Sequence, residues 1–234
     1  MPLFAILTLF PEALEPYLRS SIVGIAQEKG AARIIHVDFR DFARDRHRTV
    51  DERPYGGGPG MVLRPEPIVE CVEWLEERHG TFRKLMLCPG GRPFLQADAQ
   101  AFAAEERLLL LCGRYEGFDE RIAQTLAFEP VSVGDYVLAG GELPAMSIVE
   151  ASVRLLPGVL GHERSAIEES FQAEGVLDHP HYTRPRNFRG LEVPEVLMGG
   201  NHAAIESWRR KQARTRTRRD RPDLLGAQEP RRDR

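Results

Sequence analysis

Three short apolar runs, each followed closely by glycine, constrain the fold of this chain more than any other feature of its sequence. They are "KLMLCPGGR" from Lys84, "LLLLCGRYEG" from Leu108 and "VSVGDYVLAGGELPA" from Val131. Runs of this length that are bounded by glycine and proline are typical of strands buried on both faces of a sheet. We therefore predict a buried sheet whose strands end in glycine-rich loops.

Helix-like segments lie between the apolar runs. Pro67–Arg78 carries Ile68 and Leu75 at helical spacing. Asp98–Glu106 shows the same pattern around Phe102. Because strands that alternate with helices build layered α/β domains, we predict an α/β fold with a mostly parallel sheet.

The composition is that of a folded globular protein. Hydrophobic residues make up 42% and charged residues 29% of the chain, which is enough apolar material for a packed core.

Cys71, Cys88 and Cys112 are odd in number and lack CxxC spacing, so we expect reduced thiols and neither a disulfide nor a zinc site. The opening "MPLFAILTLFPEAL" has no basic segment and is interrupted by Pro11. This pattern favours a first core strand over a membrane span and predicts a cytoplasmic protein.

The composition changes after Gly158. The stretch "GHERSAIEESFQAEG" is polar and bounded by glycine, which is typical of a linker or mobile loop. Beyond it, Asn201 can cap a helix that turns Ile205 and Trp208 inward and leaves a row of basic side chains outside. That row consists of Arg209, Arg210, Lys211 and Arg214.

A chain of 234 residues is long enough for one large domain and one small domain. We predict a sheet domain over residues 1–160, a linker or loop over 161–175 and a helical domain over 176–234. The tail after Gly226 is expected to be disordered.

The glycine-rich strand ends are the candidate ligand site. In open α/β sheets, ligands bind beyond the carboxyl ends of the strands. Glycine exposes backbone N–H and C=O groups, which can hydrogen-bond a flat heterocycle such as adenine. The alternative is that these glycines only form tight turns. The sequence lacks GxxxxGK[ST], GxSxG and a GxGxxG after a strand, which argues against the common ATP, serine-hydrolase and dinucleotide sites.

Two other segments carry weaker signals. "RPYGGGPGM", from Arg53 to Met61, suits either a phosphate-binding nest or a plain mobile loop. His179 and His181 of "DHPHYTRP" lack partners at a recognisable metal-ligand spacing. We therefore expect no metal site there.

Six motifs follow one another along the chain: "RPYGGGPGM", "CGRYEGFDER", "SVGDYVLAGGELPA", "RLLPGVLG", "HYTRP" and "GNHAAIESWR". Together they resemble the bacterial tRNA (guanine-N1)-methyltransferases of the SPOUT superfamily, from the first strand to about Leu225. The resemblance implies a trefoil-knotted α/β domain, a small helical carboxyl-terminal domain and a homodimer with shared active sites. It also implies S-adenosylmethionine as methyl donor, tRNA as substrate and Mg²⁺ as a candidate cofactor.

The resemblance assigns the methyl donor to the three glycine-rich loops. The first supplies Pro89 and Gly91, the second Gly113, Tyr115 and Glu116, and the third Val133, Gly134, Tyr136, Leu138, Gly140, Gly141 and Pro144. The family commonly has Ser-Pro-Gln-Gly in the first loop, where this chain has Cys-Pro-Gly-Gly from Cys88. Contacts of that glutamine side chain are therefore not carried over.

The implied target is N1 of the guanine directly 3′ of the anticodon, a nitrogen that carries a proton at neutral pH. A carboxylate can accept this proton, and an arginine can stabilise the charge that moves onto O6. The family places these groups in Ser-x-x-x-Asp-Ser-Phe and Arg-Leu-x-Pro-Gly. Here Arg154 matches the arginine, but Glu169 takes the place of the aspartate in "SAIEESF". We assign the base to Glu169, with Glu168 as the second choice.

Both assignments have plainer alternatives. Glu169 can be a solvated loop acid, and Arg154 can be a surface partner of Glu150, four residues earlier on the same helix face. The change from Asp to Glu leaves open an RNA-binding protein that lacks catalysis. A SPOUT enzyme that methylates a ribose 2′-hydroxyl is a further alternative.

The resemblance also implies a surface that binds tRNA. Its assigned residues are Gly58, Ser165, His181, Arg184, Arg209 and Arg210. Arginines suit phosphate contacts, which give salt-sensitive affinity rather than base choice. Because chemistry on a ring atom requires the base to leave its stack, we expect Tyr115, Phe171 or His181 to stack on it. The polar linker is expected to become ordered when tRNA binds.

Overall fold

The computed structural model describes residues 1–161, 169–171 and 175–226 of the chain. Two compact units divide the chain, Met1–Gly161 and His162–Arg234, and each unit is described by itself.

The first unit is built on a five-stranded parallel sheet. Its elements in chain order are β1 (Leu3–Thr8), α1 (Pro11–Leu18), α2 (Ser21–Glu28), β2 (Arg33–Asp38), a 3-10 turn (Phe39–Phe42), β3 (Asp51–Glu52), β4 (Val62–Leu63), α3 (Pro65–His79), β5 (Arg83–Pro93), α4 (Gln96–Ala103), β6 (Arg107–Cys112), α5 (Arg121–Leu126), β7 (Glu129–Ser132) and α6 (Glu142–Val153). The strand order is β2-β1-β6-β5-β7, and every neighbouring pair in this sheet is parallel. This arrangement confirms the predicted α/β class with a mostly parallel sheet.

The core lies on both faces of this sheet. Successive residues of β6 alternate between two apolar clusters, as strand geometry requires, so that Leu110 joins one cluster and Leu111 the other. Phe102 of α4 and Ile148 of α6 pack into the first cluster. Leu75 of α3 packs into the second. Helices therefore cover both faces, which explains why the strands are almost continuously apolar.

The predicted elements agree with this architecture in type, although some ends differ. The predicted helix Pro67–Arg78 lies within α3, and the predicted helix Asp98–Glu106 overlaps α4, which ends at Ala103. The sequence reasoning did not identify β2. This strand lies at the edge of the sheet and all its residues are at least partly exposed, so it lacks the unbroken apolar run that marks the central strands.

The first glycine-rich loop is a bulge within β5 rather than the end of a strand. Leu87 and Arg92 both pair with Val131 of β7, so the residues between them are left outside the ladder. Gly91 then lies directly against β7: a Cβ at this position would be 2.3 Å from the backbone nitrogen of Val131. Gly91 is therefore a site of close backbone approach, where a side chain cannot be accommodated without movement of β7.

The second unit contains a long helix and a short hairpin within its described residues. Its elements are β8 (Asn187–Phe188), β9 (Leu191–Glu192), a 3-10 turn (Glu195–Leu197), α7 (His202–Asp220) and a second 3-10 turn (Pro222–Leu225). The predicted cap is confirmed, because Asn201 accepts a hydrogen bond from the N–H of Ala204 at 3.1 Å. Thr217 is buried and accepts the N–H of Leu177 at 2.9 Å.

One residue of α7 departs from the predicted orientation. Arg209 was expected on the solvent face but is half-buried, and its Nε is buried without a hydrogen-bond partner in the described part of the chain. Arg210 is exposed, as predicted, and lies 3.6 Å from Glu206. The aliphatic stem of arginine can cover apolar surface, but here the burial extends to Nε of the guanidinium.

No α-helix in the described ranges combines the length and the apolar character that crossing a bilayer would require.

The adjacent glycines of the β5 bulge provide a matched test of the close approach. Gly91→Ala is expected to lower the free energy of unfolding by about 1–3 kcal/mol, the usual cost of overpacking. Gly90→Ala is the control, because a Cβ at Gly90 meets no atom within 4 Å. Urea unfolding of both variants measures the difference. Equal stability of the two variants would contradict the role assigned to Gly91.

Candidate functional site

A cavity of about 260 Å³ lies at the bulge of β5 and the carboxyl ends of β6 and β7. Every residue assigned to the methyl donor except Gly91 lies on its wall. The lining residues are Leu87, Cys88, Pro89, Gly113, Arg114, Tyr115, Glu116, Gly117, Phe118, Val131, Ser132, Val133, Gly134, Tyr136, Val137, Leu138, Ala139, Gly140, Gly141 and Pro144. Three loops that are separate in sequence therefore meet at one pocket, at the edge of the sheet where parallel folds bind ligands.

Main-chain contacts join the second and third loops. The N–H of Gly141 donates to the carbonyl of Gly113 at 3.0 Å, and Arg114 and Gly140 form an isolated antiparallel bridge. A Cβ at Gly141 would lie 2.6 Å from the Cα of Cys112. Glycine is required here because the two backbones leave no room for a side chain.

The third loop has its own internal hydrogen bonds. The hydroxyl of Ser132 donates to the carbonyl of Gly134 at 3.0 Å. The N–H of Tyr136 donates to the same carbonyl at 2.9 Å. These bonds fix the turn that brings Tyr136 and Leu138 to the cavity, where both side chains are exposed. The wall thus combines main-chain polar groups with aromatic and aliphatic side chains, a combination that suits a flat heterocycle.

The glycine-rich segment Arg53–Met61 is attached to the second loop. The N–H of Glu116 donates to the carbonyl of Met61 at 2.9 Å, and the N–H of Leu63 donates to the carbonyl of Gly117 at 2.9 Å. Gly58 is exposed and has a positive φ of 120°. Sequence reasoning treated the segment and the second loop separately, because hydrogen bonds between distant backbone groups leave no residue signature.

A buried acid next to the cavity was not identified from the sequence. Glu142, the first residue of α6, is 5% exposed. Its carboxylate accepts a hydrogen bond from the hydroxyl of Thr8 at 2.7 Å and lies 2.9 Å from Nη2 of Arg114. The available signal was an acid in the first helical turn, which is common because the helix dipole favours it. That signal does not distinguish a buried acid from an exposed one.

The two candidate catalytic residues belong to different units. Arg154 follows α6, is half-buried, and donates its backbone N–H to the carbonyl of Glu150 at 3.1 Å. Glu169 is half-buried in the second unit. The second choice for the base, Glu168, and the assigned tRNA contact Ser165 lie outside the described residues.

The two histidines of "DHPHYTRP" have a partner that their spacing did not indicate. Nε2 of His181 lies 2.8 Å from Oδ2 of Asp178, and the rings of His179 and His181 are 4.4 Å apart. The nitrogen and oxygen atoms that these residues offer lie within 4.8 Å of one another. His181 and Arg184 are exposed, so both side chains are accessible to a ligand in solution.

The three cysteines differ in their access to solvent. Burial raises the pKa of Cys71 and of Cys112, and both thiols are fully buried. Cys88 is half-buried on the cavity wall, and partial desolvation raises its pKa as well. Cys88 is thus the thiol that a reagent entering the cavity can reach.

The fold and the pocket define a class: α/β proteins with a parallel sheet and a pocket lined by glycine-rich loops. The family model described as tRNA (Guanine-1)-methyltransferase TrmD matches residues 3–227. The chain therefore belongs to the tRNA (guanine-1)-methyltransferase family.

Similar proteins that carry this name agree with this placement. The chain is 54% identical over 220 residues to the tRNA (guanine-N(1)-)-methyltransferase of Bacillus subtilis (strain 168). The aligned region covers 94% of this chain and 90% of the relative. It is 52% identical to the protein of the same name from Geobacillus kaustophilus (strain HTA426), with the same coverage. Its identity to the one from Desulforamulus reducens is 50%, over 94% of this chain and 87% of the relative.

Thiol labelling measures occupancy of the cavity directly. Iodoacetamide is expected to modify Cys88 in the folded protein, more quickly as the pH rises towards its raised pKa, and to leave Cys71 and Cys112 unmodified. S-adenosylhomocysteine is expected to protect Cys88 by filling the cavity. Mass spectrometry of the alkylated peptides gives the rate at each cysteine, with the urea-unfolded protein as a control in which all three react. An unchanged rate at Cys88 with saturating ligand would place the ligand elsewhere.

Proposed function

We propose that this protein transfers a methyl group from S-adenosylmethionine to N1 of the guanine directly 3′ of the anticodon in tRNA. The protein is an enzyme, a tRNA (guanine-N1)-methyltransferase, by its membership of a family that covers nearly the whole chain. The observation that supports the donor site best is the convergence of three glycine-rich loops on one cavity.

The cavity suits the donor in its chemistry. S-adenosylmethionine supplies an electrophilic methyl group on a sulfonium attached to adenosine. The cavity offers main-chain N–H and C=O groups for a purine edge and the side chains of Val133, Leu138 and Pro144 for its faces. At Gly141 the backbone approach excludes a side chain, so the loop presents peptide groups rather than a side chain to a ligand. Gly91, placed against Val131, supports the bulge that carries Pro89.

The proposed chemistry depends on moving one proton. Glu169 accepts the proton of guanine N1, which leaves the ring nitrogen with a lone pair for methyl transfer. Arg154 stabilises the negative charge that develops on O6. Glutamate has the same carboxylate as the aspartate of the family, on a stem longer by one methylene. Glu169 can therefore serve as base only if its loop backs away from the guanine or its side chain bends. Mg²⁺ stays an expectation from the resemblance.

Binding of tRNA is assigned to the second unit together with Gly58. The exposed Arg184 and Arg210 suit phosphate contacts, and His181, held by Asp178, suits a stacking or edge contact to an extruded base. Arg209 is also assigned to tRNA binding, although its side chain is half-buried. Ser165, in the proposed linker over 161–175, completes the assigned contacts.

We also propose a cytoplasmic homodimer with a trefoil-knotted first domain over residues 1–160, a linker over 161–175 and a tRNA-binding domain over 176–234. Apolar exposure near the cavity supports the dimer: Val137 is 84% and Leu143 is 60% exposed. Exposed large apolar side chains next to a pocket are typical of an interaction surface. In such a dimer, Glu169 of one protomer can serve the cavity of its partner.

Methylation of unmodified tRNA tests the proposed reaction. The label from S-adenosylmethionine carrying a radioactive methyl group is expected on N1 of the guanine 3′ of the anticodon, and replacing that guanine by adenine is expected to abolish incorporation. Digestion to nucleosides and chromatography locate the methyl group. Label on a ribose would identify a 2′-O-methyltransferase, and tRNA binding without label would identify a binding protein. Either result would contradict the proposal.

Alanine variants test the two catalytic assignments. Glu169→Ala and Arg154→Ala are each expected to lower kcat at least about a hundredfold, the usual scale for a lost acid-base or charge-stabilising group. Glu168→Ala and Glu150→Ala are the matched controls and are expected to retain activity within about threefold, as for side chains outside the chemistry. Single-turnover kinetics with bound donor measure the rate. A greater loss in Glu168→Ala than in Glu169→Ala would move the base to Glu168.

A further inference from the structure

An ion pair between the buried Glu142 and the partly exposed Arg114 lies at the wall of the cavity and has no part in the proposed proton transfer. The carboxylate of Glu142 receives the hydroxyl hydrogen bond of Thr8 at 2.7 Å and lies 2.9 Å from Nη2 of Arg114. Thr8 is the last residue of β1 and is fully buried, and Glu142 is 5% exposed. The hydroxyl of Thr8 also accepts the N–H of Phe10 at 2.9 Å. We refer to Thr8, Arg114 and Glu142 as the carboxylate clamp.

The clamp connects three segments that are distant in sequence. Thr8 ends β1, Arg114 follows β6, and Glu142 starts α6 directly after the third glycine-rich loop. The guanidinium of Arg114 lies over the ring of Phe10, 4.2 Å from its centroid. Stacking and charge together hold the plane of this guanidinium in one orientation.

The third loop rests on the clamp. A Cβ at Gly140 would lie 2.3 Å from Nε of Arg114 and 2.5 Å from Oε2 of Glu142. The backbone of the loop therefore contacts both members of the ion pair without an intervening side chain. Gly140 and Arg114 line the cavity, so a displacement of the pair displaces part of the cavity wall.

An ion pair whose carboxylate is buried and whose guanidinium is partly buried calls for a role other than stability. Removing a carboxylate and a guanidinium from water costs free energy that their attraction often fails to recover, and apolar replacements are frequently as stable. A charged group in a hydrogen-bond network instead specifies a single geometry, because all of its hydrogen bonds can form only in that arrangement.

We propose that Glu142 is a positioning residue for the methyl-transfer reaction, holding Arg114 and the third loop in the shape that binds the donor. The inference rests on the proposed donor site, which it deepens. The clamp acts on donor binding and leaves the proton transfer by Glu169 unchanged. Disturbing it thus raises the KM for the donor while kcat with saturating donor is largely kept.

The chain contains a matched ion pair at the opposite edge of the sheet. Arg83, at the start of β5, donates from Nε and Nη2 to the two carboxylate oxygens of Glu129, at the start of β7, at 2.8 and 2.9 Å. Like the clamp, it joins an arginine and a glutamate across the sheet. It lies at the amino ends of the strands, away from the cavity at their carboxyl ends. Glu129 also lies 3.9 Å from Arg92, and the side chains of Arg83 and Glu129 are more exposed than those of the clamp. Because neither Arg83 nor Glu129 lines the cavity, Glu129→Gln reports the loss of an Arg–Glu pair that does not contact the cavity wall.

The test compares Glu142→Gln, which keeps the shape and removes the charge, with Glu129→Gln in the full-length protein. Calorimetry with S-adenosylhomocysteine gives the donor-site Kd, steady-state kinetics give kcat and both KM values, and thermal melting gives Tm. Glu142→Gln is expected to raise the Kd and the donor KM at least about tenfold, as for misplaced binding groups. Its kcat is expected to stay within about threefold and its KM for tRNA unchanged. Glu129→Gln is expected to lower Tm while the donor Kd stays within about twofold.

A second pair of variants tests the same inference if Glu142→Gln does not fold. Thr8→Val keeps the volume and removes the hydroxyl that orients the carboxylate, and Thr8→Ser retains it. Thr8→Val is expected to bind the donor several times more weakly than Thr8→Ser.

Each outcome of these measurements decides the inference. It is overturned if folded Glu142→Gln binds the donor like the wild type, if Glu129→Gln weakens donor binding equally, or if Thr8→Val binds like Thr8→Ser. It is also overturned if Glu142→Gln loses kcat while keeping its donor KM, which would place Glu142 in the chemistry. A wild-type protein that fails to bind S-adenosylhomocysteine would instead contradict the proposed donor site.

Discussion

The backbone of the third glycine-rich loop lies directly against the backbone at the end of β6, and the geometry of the candidate site depends on this approach. The N–H of Gly141 donates to the carbonyl of Gly113, and no side chain fits between Gly141 and Cys112. Gly91 makes a similar approach to Val131 on the other side of the cavity. Each approach is possible because glycine has no Cβ. The cavity wall is consequently held at positions where peptide groups pack on peptide groups.

The missing side chain of these glycines serves both packing and binding. A wall of main chain has fixed donors and acceptors, since its orientation is set by the strands and not by rotamers. Such a wall suits a ligand with a flat, polar edge, whereas proton transfer requires side chains that titrate or carry charge. Most residues of the cavity wall are glycine or apolar, in agreement with this division, while Arg114 and Glu116 are its charged members and Arg154 is not part of it. The carboxylate clamp combines the two kinds of group, because its side chains are charged but its proposed role is to hold the main chain of the cavity wall in place.

Sequence reasoning was accurate where a pattern is local. The central strands, the helix now described as Pro65–His79 and the cap at Asn201 follow from apolar periodicity and from residue preferences at helix ends. It missed β2, because an edge strand is partly solvated and loses the unbroken apolar run. It placed the end of a strand at the first glycine-rich loop, where the structure has a bulge, because glycine breaks the pattern in both cases. The family motifs identified eleven residues that line the cavity. They also included Gly91, which packs against Val131 of β7 and does not line the cavity.

The amino-acid sequence by itself determined the α/β class, the glycine-rich strand ends and the family, because periodicity and contiguous motifs are properties of neighbouring residues. The tertiary structure decided which loops meet, that β5 continues past its bulge, that Asp178 holds His181, and that Glu142 is buried against Thr8 and Arg114. These features depend on contacts between residues as far apart as Thr8 and Glu142. A glutamate in a first helical turn has the same local signature whether it faces solvent or an arginine. Burial, which sets the free-energy cost of its charge, exists only once the sheet has brought the three segments together.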